Sequence, residues 1–227
     1  MEGARPRRYL LPMRPERFHR LREVLLRRQP DLTVLMEHVH KSHNFSAILR
    51  NCDAAGVLEA HAVPPDRGLD LHHGTSAGTK KWVRVRLHAE VGEAVRHLHE
   101  QGFTVLAAHP SRQAVDYREV DFTRPTAVMV GAELHGVSEE GLGLADRLVV
   151  IPMVGMVHSL NVSVATALLL YEAMRQRQAA GMYEASRLDE DAFRRTLFEW
   201  AHPTVAGICR ERGTPYPDLG PEGEILS

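Results

Sequence analysis

Strand and helix signals alternate about six times along this 227-residue chain, and that rhythm predicts an α/β protein: an open, mostly parallel sheet with helices on both faces. Two further observations agree. The strand candidates Phe103–Ala108 and Thr126–Gly131 are short and apolar nearly throughout, as strands covered on both faces are. Glycines stand where three helical runs stop, at Gly56, Gly102 and Gly181. Hydrophobic content of 44% and charged content of 25% are those of a globular domain.

Taken in order, residues 15–29 place apolar side chains at Phe18, Leu21, Val24 and Leu25, which is helical spacing, and Pro30 ends the run. Leu32–Val39 is a strand candidate. Asn44 is placed to cap a helix over Phe45–Ala55. A strand near Leu58–Val63 leads into a polar loop, Pro64–Thr79, that holds His72 and His73. Lys80–Leu87 alternates charged and apolar residues, as a strand with one solvated face does. A helix over Ala89–Gln101 precedes the Phe103–Ala108 strand, and Arg147–Pro152 follows as another. Val162–Ala180 is the longest helix. Two more, Asp189–Ala201 and Thr204–Arg212, precede a Pro/Gly-rich tail. These patterns divide the chain into a basic helical arm (1–30), an α/β domain (31–184) and a helical appendage (185–227).

In an open parallel sheet ligands collect beyond the carboxyl ends of strands. The loops after Val39, Ala108, Gly131 and Ile151 are therefore expected on one rim. Charge adds a second expectation. Residues 1–30 carry nine arginines (5, 7, 8, 14, 17, 20, 22, 27, 28) against three glutamates, a balance of +6 that leaves −7 for the other 197 residues. Such a run is either a solvated helix face or an address for a polyanion; the exclusive use of arginine, which pairs bidentately with phosphate, favours the polyanion. No apolar run approaches the roughly 18 residues of a membrane span, and no signal-peptide pattern opens the chain, so a cytoplasmic protein is expected. Cys52 and Cys209 lack the spacing of a zinc site or a disulfide framework.

Several chemistries lose ground. There is no Gly-x-Gly-x-x-Gly after the first strand, no P-loop and no Gly-x-Ser-x-Gly elbow. His158 and Ser159 are adjacent in the chain and so seldom face one another as a base and nucleophile must. His38, His40 and His43 read as loop and surface residues rather than metal ligands.

Three segments remain. Asn44 to Arg50 puts an amide at the mouth of a helix and an arginine almost two turns along it. Val130-Gly-Ala-Glu-Leu-His-Gly-Val-Ser-Glu-Glu140 empties a strand into a glycine loop, with Ser138 placed to cap a further helix. Ile151-Pro-Met-Val-Gly-Met-Val-His-Ser-Leu-Asn-Val-Ser-Val-Ala165 runs from a strand end through a glycine loop to a helix start. In order, these resemble the three motifs of the SpoU-type branch of the SPOUT RNA 2'-O-ribose methyltransferases. Arg28-Gln-Pro-Asp-Leu-Thr-Val-Leu35, His43 to Ala54 and Gly213-Thr-Pro-Tyr-Pro-Asp218 are similar to the branch acting on guanosine 18 of the tRNA D-loop.

The resemblance implies a deep trefoil knot, S-adenosylmethionine as methyl donor, tRNA as partner, and a homodimer with composite active sites. Arg50 matches the arginine held to be catalytic and Asn44 its support. Glu133, Ser159 and Asn161 match the other functional polar positions. Backbone at Ala108, Gly131, Ile151, Met153 and Leu160 is expected around the cofactor. Arg17, Arg20, Arg28, Arg175 and Arg177 are the candidate RNA contacts, although cations at the end of a helix also suit its dipole. Arg50 has a bland alternative, an ion pair with Asp53. Val162, Ala165, Leu168 and Leu169 are expected at a partner subunit. A ribosomal-RNA methyltransferase, or a non-catalytic RNA-binding protein on this scaffold, are the other readings.

Overall fold

A computed structural model describes residues 13–65 and 81–226. Arg5, Arg7 and Arg8 of the basic arm, and His72 with His73, lie outside the described residues. Contacts divide the chain into two units, Arg28–Arg187 and the pair of segments Met1–Arg27 and Leu188–Ser227.

The larger unit is built on seven strands: β1 (Leu32–Glu37), β2 (Glu59–Val63), β3 (Arg84–Leu87), β4 (Thr104–Ala108), β5 (Val115–Asp116), β6 (Thr126–Val130) and β7 (Arg147–Val150). Their order is β3-β2-β1-β6-β4-β7-β5, and every pairing is parallel. Side chains alternate between two apolar layers. Val34, Leu106, Val128 and Val130 point into one, with Phe45, Ile48 and Leu49 of α2 (Ser42–Ala54) and Leu169, Leu170 and Ala173 of α5 (Val162–Ala179). Leu35, Val105, Ala127 and Met129 point into the other, with Val91, Ala94, Val95 and Leu98 of α3 (Val91–Glu100). A short helix, α4 (Glu139–Leu144), completes the unit. Burial at every position explains the largely apolar make-up of β1 and β6.

The predicted elements are present with shifted ends: several strands are shorter than expected, while α2 begins at Ser42 rather than Phe45. β1 stops at Glu37 because His38 takes a left-handed backbone, φ 52°. β3 begins only at Arg84, with Arg84 and Arg86 exposed as the charged alternation implied. β5 and the 3-10 turn at Tyr117–Glu119 were not foreseen; two strand residues are too few to carry a period.

Asn44 is not the cap of α2. The helix starts at Ser42 with Lys41 at its N-cap, and the Asn44 amide is engaged elsewhere.

Two arginines expected to meet RNA are interior residues instead. Arg177 is fully buried. Its Nε donates to the Phe122 carbonyl (2.9 Å), Nη1 to Gln29 Oε1 (3.0 Å) and Asp31 Oδ1 (2.5 Å), and Nη2 to the Asp31 and Arg124 carbonyls (both 3.0 Å). Five donors meet five acceptors, which exhausts a guanidinium. Arg28, 1% exposed, donates to the Asp53 and Val57 carbonyls (3.2 and 3.1 Å) and to Asp53 Oδ1 (2.5 Å). Sequence counts positive charge; the fold decides whether water or protein surrounds it. Asp31 sits below the ordinary carboxylate range: burial would raise it, but Arg177 and Arg187 together outweigh that.

In the smaller unit, α1 (Pro15–Leu26) buries Phe18, Leu21 and Leu25 and packs against α6 (Glu190–Ala201). Asp189 caps α6 through the Ala192 N–H (2.7 Å). The unit also holds α7 (Pro203–Arg212), closed by Gly213 at φ 64°. Tyr216 of the tail stacks on Phe198 at 4.8 Å. Arg17, Arg20 and Arg22 of α1 are exposed, and Arg20 reaches Glu23 at 3.5 Å.

Two predictions follow from the interior polar groups. Arg177→Met should lower the unfolding free energy by about 3–5 kcal/mol, because Asp31 Oδ1, Gln29 Oε1 and three carbonyls lose this donor, read as a lower urea midpoint at unchanged slope. His61 is pushed down to about 4 by burial, against Glu59, with His88 and His97 adding to the depression; His88 is lowered too, by burial first, against Glu93. Unfolding restores ordinary imidazoles, so the unfolded chain binds more protons below pH about 6.5. Stability should be whole above that pH and fall towards pH 4, by up to about 3 kcal/mol from His61. In His61→Gln the slope of urea midpoint between pH 6.5 and 5 should flatten.

Candidate active site

Because all strands run one way, the segments after β1, β4, β6 and β7 leave the same edge of the sheet. Three of them are joined there by side chains. Glu133, in the loop after β6, accepts from the backbone N–H groups of His40 (3.2 Å) and Lys41 (3.0 Å) and from Asn44 Nδ2 (2.8 Å). Asn44 Oδ1 accepts from Asn161 Nδ2 (3.1 Å), and Asn161 Oδ1 accepts from the Ser163 N–H (2.8 Å) as the N-cap of α5.

The direction of this chain follows from its end member. A carboxylate only accepts, so the Asn44 amide must turn its nitrogen towards Glu133, leaving its oxygen for Asn161. Asn161 then has its own oxygen free to cap α5. Asn44 is the third residue of α2, past the cap position, and its amide turns to the Glu133 carboxylate. Burial would raise the Glu133 pKa, but hydrogen bonds from Asn44 and from backbone N–H groups hold it below the ordinary value. Glu133 is thus a standing negative charge at neutral pH.

Beside this chain lies an open pocket of about 480 Å3. Of the five residues expected around a cofactor, Ala108, Ile151, Met153 and Leu160 line it, together with Ser159. Sequence reasoning missed His109 and Pro110, which continue β4, and Val149 and Val150, which end β7. Ala165 and Leu169 also line it. They are four apart on α5 and so share a face, but the sequence alone assigned them to a subunit contact. Leu169 is fully buried in the core instead, whereas Leu168 is 38% exposed. Among the described residues, the peptide groups of 151–160 make no backbone–backbone hydrogen bonds, so their donors and acceptors are open to water or to a ligand. Apolar walls with free peptide edges suit a flat heterocycle and a short aliphatic chain.

Gly131 does not line the pocket. It allows backbone contact: a Cβ there would lie 1.9 Å from the carbonyl carbon of Gly136 and 2.1 Å from the Val137 nitrogen. Arg50 is exposed, and among the described residues its side chain makes no hydrogen bond or ion pair. The acid expected to quench it, Asp53, is held by Arg28. Arg50 follows Asn44 by six positions, which rotates it roughly 120° around α2, and it does not join the Glu133 chain. Arg175 is exposed and paired with Glu172 (2.7 Å). No group of side chains able to hold a metal ion occurs among the described residues.

The pattern of the SpoU rRNA Methylase family matches residues 31–171, and that of "SpoU, rRNA methylase, C-terminal" matches 175–227. The tRNA (guanosine(18)-2'-O)-methyltransferase of Escherichia coli (strain K12) is 53% identical over 215 residues, 94% of each chain. The crystal structure of the A. aeolicus TrmH/SpoU tRNA modifying enzyme superposes with a TM-score of 0.78 at 43% identity, covering 84% of this chain and 97% of that one. The SpoU methyltransferase AviRb from Streptomyces viridochromogenes in complex with AdoMet matches with a TM-score of 0.60 at 26% identity, over 66% of this chain and 62% of that one.

The tight loop at Gly131 yields a direct test. Gly131→Ala must push the Gly136–Val137 backbone aside, at a cost of about 1–3 kcal/mol. Because that loop carries Glu133, amide resonances of His40 and Lys41 should shift in the variant.

Proposed function

This chain belongs to the SpoU methylase family, and from that premise we propose that it methylates the ribose 2'-hydroxyl of guanosine 18 in tRNA, with S-adenosylmethionine as methyl donor. The observation that carries this reading is the Glu133–Asn44–Asn161 chain, which links the three family motifs at the mouth of a pocket suited to the donor. The 53% identity to the E. coli enzyme along 94% of the chain supports the tRNA substrate.

Bound in the pocket, S-adenosylmethionine would supply a sulfonium methyl, which passes in line to the ribose oxygen as the sulfur becomes a neutral thioether. The residues of the chain do the rest. Ile151, Met153 and Leu160 fix the donor, and such fixing of two reactants is worth on the order of 7–11 kcal/mol of barrier. Arg50 grips the phosphate next to the target ribose and stabilises the developing alkoxide, while the hydroxyl proton passes to phosphate or water. It is not itself the base, since a guanidinium stays protonated to about pH 12. Glu133 holds Asn44 and the start of α2 in place, and Ser159 offers a hydroxyl at the pocket wall.

The enzyme acts as a cytoplasmic homodimer with composite sites. Support comes from the apolar side chains left in water around the site: Val154, Met156 and Leu134 are 106%, 94% and 85% exposed, and Leu168 and Tyr171 of α5 are partly so. Arg50, away from Asn44 in its own chain, would reach a site from across such an interface. The deep knot belongs to the same reading; the sheet order, with β6 between β1 and β4, is compatible with it. For tRNA, the exposed Arg17 and Arg20 remain candidates, and Arg175 once released from Glu172. No helix of the described residues is long and apolar enough to cross a membrane.

Incubating the pure protein with S-adenosylmethionine and a tRNA transcript should yield one 2'-O-methylguanosine, located at position 18 by mass spectrometry. Methylation of a ribosomal-RNA fragment but not of tRNA would replace this reading with the rRNA one. Arg50→Ala should lower kcat by about 100-fold or more while leaving S-adenosylhomocysteine affinity within about threefold.

A further inference from the structure

β1 is apolar except at Thr33 and its last residue. Glu37 is 1% exposed, and a carboxylate removed from water is stabilising only if its oxygens find donors. Both do, on one residue: Oε2 accepts from the Ser138 N–H (2.9 Å) and Oε1 from the Ser138 hydroxyl (2.5 Å). That hydroxyl also accepts from the Gly141 N–H (3.0 Å) as the N-cap of α4. Packing around the contact is tight: a Cβ on Gly141 would stand 2.8 Å from Val137 Cγ1 and 3.1 Å from Glu37 Oε2.

Ser138 ends the loop that Gly131 begins. The loop is closed on itself by the Ala132–Gly136 bridge, with the Gly136 N–H on the Ala132 carbonyl at 2.8 Å. Between these fixed points stands Glu133, which grips the His40 and Lys41 N–H groups and Asn44. The β1 strand and the segment that follows it therefore hold this loop twice, through Glu37 at its base and through residues 40–44 at Glu133. An apolar residue in place of Glu37 would suit the strand's burial at least as well. What the carboxylate adds is a fixed placement of the loop.

We propose that Glu37 is a positioning residue for the methyl transfer, acting through Ser138 to set where Glu133 meets Asn44 and thus how the acceptor ribose is presented. The proposal rests on the function proposed above. Neither Glu37 nor any residue of 131–138 lines the donor pocket, so its effect separates from donor affinity.

The test uses the full-length protein as Ser138→Ala, Ser138→Thr and Glu37→Gln. Ser138→Ala and Glu37→Gln should lower kcat for tRNA methylation by about tenfold or more, the scale of a small misplacement at a reacting centre. S-adenosylhomocysteine affinity by calorimetry should stay within about threefold. Ser138→Thr keeps the hydroxyl and should restore kcat to within about threefold of the parent. In Ser138→Ala, the His40 and Lys41 amides should exchange with solvent about tenfold faster. Parent-like kcat in folded Ser138→Ala overturns the proposal, and so does a loss of kcat matched by an equal loss of donor affinity. Should the parent itself not methylate tRNA, the functional reading fails; amide exchange then decides the linkage, and unchanged exchange at His40 and Lys41 sinks it.

Discussion

Every strand of the sheet points the same way, and the rest of the larger unit depends on that. Parallel neighbours cannot be joined by tight turns; each connection must cross back over a face, which brings helices onto both sides and buries the central strands β1 and β6 at every position. It also sends residues far apart in sequence to one edge. Asn44, Glu133 and Asn161 are separated by 89 and 117 positions in their hydrogen bonds, yet each lies just beyond the end of a strand.

At that edge two carboxylates fix the polarity of everything around them. Glu133 and Glu37 can only accept, so each dictates which way its partners turn. Glu133 orients the Asn44 amide, and through it the amide of Asn161 and the cap of α5. Glu37 takes both donors of Ser138, and the Ser138 oxygen then caps α4. Helix starts and site geometry are therefore settled by the same few hydrogen bonds. A change that slackens one of these contacts moves a cap as well as a functional side chain.

Arginine plays two opposed parts. Arg177 and Arg28 sit in the interior with carbonyls and an aspartate each, where the guanidinium fork satisfies many acceptors at once. Arg17, Arg20 and Arg50 face water. Arg28 also occupies Asp53, the acid one helical turn beyond Arg50, so the exposed guanidinium of Arg50 is left without that carboxylate partner. One residue type thus serves as an interior clasp and as a solvated surface charge, and nothing in its identity separates the two.

The sequence by itself determined the α/β class, the succession of strands and helices to within a few residues, and the three loops that carry the site. Those follow from local properties: the apolar runs, the helix-ending glycines Gly56, Gly102 and Gly181, and the motif residues themselves. Through the resemblance of its motifs to the SpoU family it also picked four of the pocket's lining residues, Ala108, Ile151, Met153 and Leu160. Only the tertiary structure decided the rest. Whether an arginine is solvated, whether Asn44 caps its own helix or serves Glu133, and whether Gly131 faces a ligand or the Gly136 backbone all depend on neighbours some distance along the chain. The two-residue β5 left no period to detect. Hydrophobic spacing is a property of one segment; burial and hydrogen-bond partnership belong to pairs of segments, and those pairs exist only once the sheet has brought its strand ends together.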